Sequence, residues 1–347
     1  MNASQGADPR PRIRRRAIAV ALGGLLLVAA VFAVAALIAA RSGPDSSAAD
    51  PVVAAAGDIA CDPGNRSFRD GNGSARSCRQ QAVSDLLVDA GLAAVFPLGD
   101  LQYHCGSDRA FQESYDRSWG RVKDITVPVV GNHEYLAKGR ADATGATSAA
   151  TGCDASNTGA AGYFDYFGEA AGDPAKGYRS LDIGAWHVVV LNSSCRHSGG
   201  CGPRSPQVKW LADDLAANPR TCTMALFHHP RFSSGRHGDN EDYVAFWATL
   251  HAAGVDVVLN GHDHIYERFA AQTPSGAPDP EGGIRQFTVG TGGANHTDVT
   301  TVRPNSEVHN DTTFGVLKLT LHPSSYDWAF VPEAGEVFTD TGTEECH

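Results

Sequence analysis

Seven side chains stand directly behind short apolar runs. They are Asp58 after "VVAAAG", Asp100 and Tyr103 in "VFPLGDLQY", Asn132 in "VPVVGNHE", His228 in "MALFHHP", and His262 and His264 in "VVLNGHDHIYER". The set offers hard oxygens and imidazoles but no thiol, which suits iron, zinc or manganese and not copper(I). Seven donors exceed a tetrahedral zinc site and suffice for two metals that share one carboxylate. Two metals about 3.5–4 Å apart activate water and clamp both oxygens of a phosphoryl transfer. The chemistry indicated is metal-assisted hydrolysis of a phosphate ester. One His-x-His would mean little, whereas five apolar runs that end alike make a site.

The elements that must position these groups are legible too. Each run is short, apolar and bounded by turn residues, as a strand covered on both faces would be. Open α/β sheets bind ligands beyond the carboxyl ends of their strands, so five such ends can converge in one crevice. Helical signals separate the runs. Residues 80–90 end at Gly91, and Phe111, Tyr115 and Trp119 repeat at i, i+4 and i+8 across 108–119. Ser205 and Pro206 open "PQVKWLADDLAA", Pro219 closes it, and "EDYVAFWATLHAA" stops at Gly254. Beyond Gly283 the period becomes two, in "IRQFTVG", "FGVLKLTLH" and "SYDWAFV", with a hairpin around Pro323-Ser324-Ser325. Residues 137–162 are small and polar, an extended surface loop. One mixed α/β domain is expected over residues 51–347.

Charge and cysteine usage place that domain. The 347 residues carry a net charge of -11, with 28 basic and 39 acidic side chains. Six arginines and three aspartates fall in the first 50 residues, so the remainder holds 22 basic and 36 acidic residues, a net of -14. Such an acidic body is a poor partner for nucleic acid or anionic membrane surfaces. A small phosphorylated substrate would need a local source of positive charge. Residues 1–16 form a basic N-terminus, expected to be cytoplasmic, and 17–40 are uncharged, long enough for the roughly 20 residues of a membrane span. We expect a transmembrane signal anchor there, with a cleaved signal peptide as the alternative, followed by a linker over 41–50. The domain is then exported on the outer face of the cell membrane, or secreted. All eight cysteines, at 61, 78, 105, 153, 195, 201, 222 and 346, lie in the exported part and contain no C-x-x-C pair, which points to structural disulfides. Cys195 with Cys201 would close a small loop, and Cys61 with Cys78 and Cys105 with Cys153 would each staple a longer one.

The ordered segments "GDIA", "GDLQY", "GNHE", "LFHHP" and "GHDH" resemble the five motifs of calcineurin-like metallophosphoesterases, in particular the purple acid phosphatase branch. The resemblance runs from Val52 to Phe330. It implies the four-layer metallophosphoesterase fold, two mixed β-sheets packed together and flanked by helices. By position it implies that Asp58, Tyr103 and His264 hold one metal, that Asn132, His228 and His262 hold the second, and that Asp100 bridges them. Most of the superfamily has a histidine ligand two residues after the first aspartate, where this chain has Ala60. Tyr103 offers a phenolate in compensation. That ligand favours Fe(III), so the expected pair is Fe(III) with Fe(II), Zn(II) or Mn(II).

Further roles follow from the same resemblance. His133 corresponds to a histidine that contacts substrate beside Asn132 and could protonate the leaving oxygen, a role worth roughly 10²–10⁴-fold. His237 lies nine residues beyond His228, where plant-type members carry a histidine pair, and here its neighbour is Gly238. His229 is expected to support the ligands, Glu134 to orient His133, and His296 to lie at the rim. The implied reaction is hydrolysis of phosphate monoesters by a metal-bound hydroxide. Hydrolysis of phosphodiesters or nucleotides on the same metal core is the alternative enzyme reading. A surface protein that binds phosphopolymers without turnover is the other, and the complete ligand set argues against it.

Overall fold

The computed structural model describes residues 49–137, 153 and 156–347. The expected anchor at 17–40 therefore lies outside the described residues, as do most of 137–162. Among the described residues no helix is long and apolar enough to cross a membrane. Asp50–His347 form one compact unit.

Twelve strands build two mixed sheets. The first has the order β12-β11-β10-β1-β2, with β1 (Val52–Ala56), β2 (Ala94–Pro97), β10 (Gly315–Leu321), β11 (Ser325–Pro332) and β12 (Thr341–Glu345). The second has the order β3-β4-β5-β6-β8-β7-β9. Its members are β3 (Arg179–Ile183), β4 (Trp186–Val190), β5 (Thr223–Leu226), β6 (Val257–Asn260), β7 (Tyr266–Phe269), β8 (Arg285–Val289) and β9 (Ser306–Asn310). Strand β1 runs parallel to β2 and antiparallel to β10. Strands β4, β5, β6 and β8 run parallel to one another.

Alternation along the parallel strands explains the layering. Val188, Val190, Met224, Leu226, Val257 and Leu259 face a core shared with Val53, Leu317 and Leu319 of the first sheet. Their neighbours Val189, Ala225 and Val258 face a second core. There they meet Val208 and Leu211 of the helix Pro206–Ala217, and Phe246, Trp247 and Leu250 of the helix Val244–Ala252. A strand buried on both faces reads as continuous apolar sequence for this reason. Ser205 caps the first of those helices, its hydroxyl accepting from the Val208 N–H, and Pro206 occupies the first turn.

Several elements depart from the sequence reading. The helix at 80 stops at Ser84, and turns carry the chain to Asp89, whose left-handed φ of 55° ends the helical path before Gly91. Over 108–119 the helix is not continuous, because Gln102 Oε1 accepts the Tyr115 N–H. The Asp116 N–H then bonds Phe111 O, a wider π turn. Phe111, Tyr115 and Trp119 are nevertheless all buried. The run before Asn132 is no regular strand, since Thr126 and Val129 make only isolated parallel bridges. The end of the expected polar loop is a helix, Ala161–Phe167, which buries Tyr163, Phe164, Tyr166 and Phe167. All eight cysteines are paired: 61–78, 105–153, 195–201 and 222–346.

Candidate metal centre

The backbone is bent where the candidate ligands sit. Asp58, Asp100 and His262 all have left-handed φ, at 61°, 50° and 72°. Non-glycine residues there cost of order 1–3 kcal/mol each and persist only where the surroundings over-determine them. The turns just past β1, β2 and β6 thus aim three side chains into one space. Two glycines make the approach possible. A Cβ on Gly99 would stand 2.4 Å from the His228 ring, and one on Gly131 would stand 2.3 Å from Asp100 Oδ1.

Asp58, Asp100, Tyr103, His228, His262 and His264 form a continuous cluster. The Tyr103 hydroxyl lies 2.8 Å from Asp58 Oδ1, 3.2 Å from Asp100 Oδ2 and 2.9 Å from His264 Nε2. His264 Nε2 is 3.2 Å from Asp58 Oδ1, and His228 Nε2 is 3.2 Å from both Asp100 Oδ2 and His262 Nδ1. Both carboxylates are buried, and among the described residues neither pairs with a lysine or arginine.

Carbonyl acceptors fix which imidazole nitrogens are bare. His228 Nδ1–H donates to Leu98 O at 2.8 Å, and His264 Nδ1–H donates to Asn295 O at 2.8 Å. A carbonyl only accepts, so these protons are committed and each Nε2 turns a lone pair toward a carboxylate. Electron-rich atoms this close need a shared cation, either a proton or a metal. With protons alone, burial pulls His228 down, but the Asp100 and Asp58 carboxylates win and raise it to about 9. His264 is raised in the same way by Asp58. Burial, then Asp100 and Asp58, hold the Tyr103 phenol well above its ordinary range. Burial, then His228 and His237, press His262 down to about 3.

Asn132 supplies an independent sign. Its Oδ1 is buried with no hydrogen-bond partner, although buried polar atoms are nearly always satisfied. The next backbone N–H, of His133, donates to Asp100 Oδ1 at 2.8 Å, which holds this loop against the cluster. An amide oxygen left open near a cluster with two carboxylates and two bare imidazole nitrogens fits hard or borderline cations. Six of the seven donors expected from the sequence thus lie in one cluster, and Asn132 sits on the loop held against it.

The remaining predicted residues surround the cluster. His133 Nδ1–H donates to His104 O at 2.7 Å, and its Nε2 stands 3.8 Å from Asp100 Oδ2. His237 stacks on His262 with centroids 4.1 Å apart, while its Nδ1 lies 2.8 Å from Asp263 Oδ1. Asp263 also accepts the His237 backbone N–H and the Ser233 hydroxyl. His229 is held by Ser193 Oγ at 2.8 Å, and His229, His228 and His262 bring one donor atom each within 4.8 Å of one another. His296 packs on Phe314 and bonds His264 O. Glu134 does not orient His133. Its carboxylate accepts the N–H groups of Asp100, Leu101, Gln102 and Gly131 and ties two turns together.

Sequence reading gave Asp263 no role, although it lies between two candidate ligands. A carboxylate in an otherwise buried segment signals that a partner must exist. Asp263→Asn keeps the side chain's size and weakens its hold on His237. If the cluster hydrolyses phosphate esters as the sequence leads one to expect, turnover of an alkyl phosphate should fall about 10–100-fold, and that of an activated aryl phosphate much less, because the latter needs little leaving-group assistance. Parallel rate measurements on the two esters decide this, and equal losses would leave Asp263 a packing role only.

The Calcineurin-like phosphoesterase family model matches residues 53–266. Purple acid phosphatase 18 of Arabidopsis thaliana is 32% identical over 131 residues, 36% of this chain and 29% of that protein. Purple acid phosphatase 22 of the same plant is 36% identical over 122 residues, 33% and 27% of the two chains. The matched region is thus under a third of the length of these curated relatives. Among solved structures, the purple acid phosphatase PPD1 from yellow lupin (Lupinus luteus) seeds has a TM-score of 0.64 at 19% identity, covering 86% of this chain and 54% of that one. GAP50, the anchor in the inner membrane complex of Plasmodium, has a TM-score of 0.54 at 13% identity, covering 86% and 90%. These likenesses show that the fold is shared.

Proposed function

Because the chain belongs to the calcineurin-like phosphoesterase family, we propose that it hydrolyses phosphate monoesters with a dinuclear metal centre of the purple acid phosphatase kind. Asp58, Tyr103 and His264 would hold Fe(III). Asn132, His228 and His262 would hold Fe(II), Zn(II) or Mn(II), and Asp100 would be shared. The fold alone does not carry this reading, since GAP50 has it and is described as an anchor. The observation that carries it is His228 Nε2, bare because Nδ1–H is committed to Leu98 O, facing the buried Asp100 carboxylate at 3.2 Å. When bound, the metals would supply Lewis-acid polarisation of the phosphoryl group and an acidified water. The chain's own residues do the rest. His133 Nε2 and His237 Nε2 are the ring atoms left to bind or protonate ester oxygens, since each Nδ1 is occupied. Asp263 and His104 O keep those rings turned for the task.

Tyr103 separates this reading from a zinc or manganese phosphoesterase. Purified, oxidised protein should show a visible tyrosinate-to-Fe(III) charge-transfer band that Tyr103→Phe lacks. Two bound metals without such a band would remove iron from the proposal. Failure of the full-length chain to hydrolyse any monoester or diester would remove the enzymatic reading itself.

The site of action is proposed to be outside the cytoplasm, on a membrane anchor formed by residues 17–40. Four disulfides and no free cysteine among the described residues support an oxidising compartment. Intact mass of membrane-extracted protein should include the first 40 residues, and a mature N-terminus between Ala40 and Asp50 would favour secretion instead.

A further inference from the structure

A cavity of about 270 Å³ opens beside the candidate metal centre and shares Asn132 with it. That is just below the range of about 300–1,000 Å³ for small-molecule pockets, so it suits a short group. Its walls include Tyr135, Ser193 and His229, and Arg196 and Asp242 line it as well. Arg196 has no hydrogen-bond or carboxylate partner among the described residues, in a chain whose acidic residues outnumber its basic ones. The loop that presents it is rigid. Cys195–Cys201 closes it, Ser198 Oγ bonds Asn192 O, and His197 stacks on Tyr135 at 3.9 Å with the rings only 8° from parallel. Tyr135 lies two residues from His133, so the stack fixes the arginine's loop relative to the reacting end.

We propose that this cavity is the leaving-group subsite and that Arg196 selects phosphate monoesters whose leaving group carries a second anion, a carboxylate or another phosphate. The proposal rests on the phosphomonoesterase reading above. An ester bound at the metal centre through its phosphoryl oxygens would direct its leaving group past Asn132 into the cavity. A guanidinium fork matches both anions in two-point geometry. A preformed loop reduces the ordering cost of meeting them. Asp242, an exposed acid on the same cavity, opposes the anion and tempers the preference.

The full-length chain is assayed with propyl phosphate, 3-phosphonooxypropanoate and propane-1,3-diyl bisphosphate. The two esters with a second anion should exceed propyl phosphate in kcat/KM by roughly twofold to fivefold, the worth of an exposed ion pair. That ratio should fall to near one in Arg196→Gln and rise in Asp242→Asn. The bisphosphate should gain at least as much as the carboxylate ester, because its second group carries roughly −1.5 to −2 near pH 7 against −1. A wild-type ratio of one, or a ratio that survives Arg196→Gln, overturns the proposal. Should no ester be hydrolysed, the enzymatic reading falls. Titration calorimetry then decides the subsite alone, since propane-1,3-bisphosphonate should bind more tightly than propylphosphonate only while Arg196 is present.

Discussion

Asp100→Asn should strip both metals from the protein and lower phosphate-ester hydrolysis by roughly 10²–10⁴-fold, the equivalent of the 3–5 kcal/mol lost on breaking a buried charge pair. Asp100 Oδ2 faces His228 and Tyr103, and Oδ1 accepts the His133 N–H. The amide retains one acceptor oxygen and removes the charge. His228 and His262 then have no anion between them to compensate a cation. Metal content by elemental mass spectrometry, read beside circular dichroism, separates this from unfolding. A folded Asp100→Asn protein with two metals and full activity would refute the dinuclear assignment.

Glu134→Ala should have the second largest effect, and on stability first. Four backbone N–H groups donate to this one carboxylate, at 2.7 Å from Gly131, 2.8 Å from Leu101, 3.0 Å from Asp100 and 3.3 Å from Gln102. Burial and the Asp100 charge push Glu134 up to about 8, and the N–H donors of Gly131 and Gln102 work against them. Deleting the acceptor leaves four buried donors to find water or go unpaired, at about 1–3 kcal/mol each. With partial backfilling by water, urea unfolding should report a loss of roughly 3–5 kcal/mol. The turn at Asp100 should loosen with it, so metal content should fall in the protein that remains folded. A loss below about 1 kcal/mol would mean that the two turns hold their shape without this carboxylate.

Most of the candidate ligands were legible in the sequence because each follows a strand with little chain between. Asp58 comes two residues after β1, His228 two after β5 and His262 two after β6, so local patterning suffices to bring them together. Tyr103 was legible through the absence of a histidine at Ala60. What escaped depends on distant partners. Asp263 acquires its role only when the segment around His237 folds over it, and Glu134 only when the turn after β2 comes alongside. Gln102 likewise reshapes the helix after Asp108 by capturing an N–H thirteen residues away. Strands β3, β9 and β12 were missed because they are partly exposed and mostly polar. Strands β4 and β7 were missed too, although β4 is an apolar run buried throughout, because no candidate ligand follows either closely enough to draw notice.

The position of β1 also dictates when the centre can exist. Its neighbour β10 pairs Val52 with Thr320, while the other neighbour, β2, is made early. At roughly 5–20 residues per second, synthesis leaves β1 without β10 for tens of seconds, and such distant pairing is slow to form even afterwards. Asp58 therefore waits for residues made last, as do the carboxylates and imidazoles that must meet it. For the proposed centre, metal acquisition would be a terminal event in biogenesis. Under the export proposed above, the ion would then be chosen by the metal supply of the compartment where folding finishes, whatever the supply where translation began.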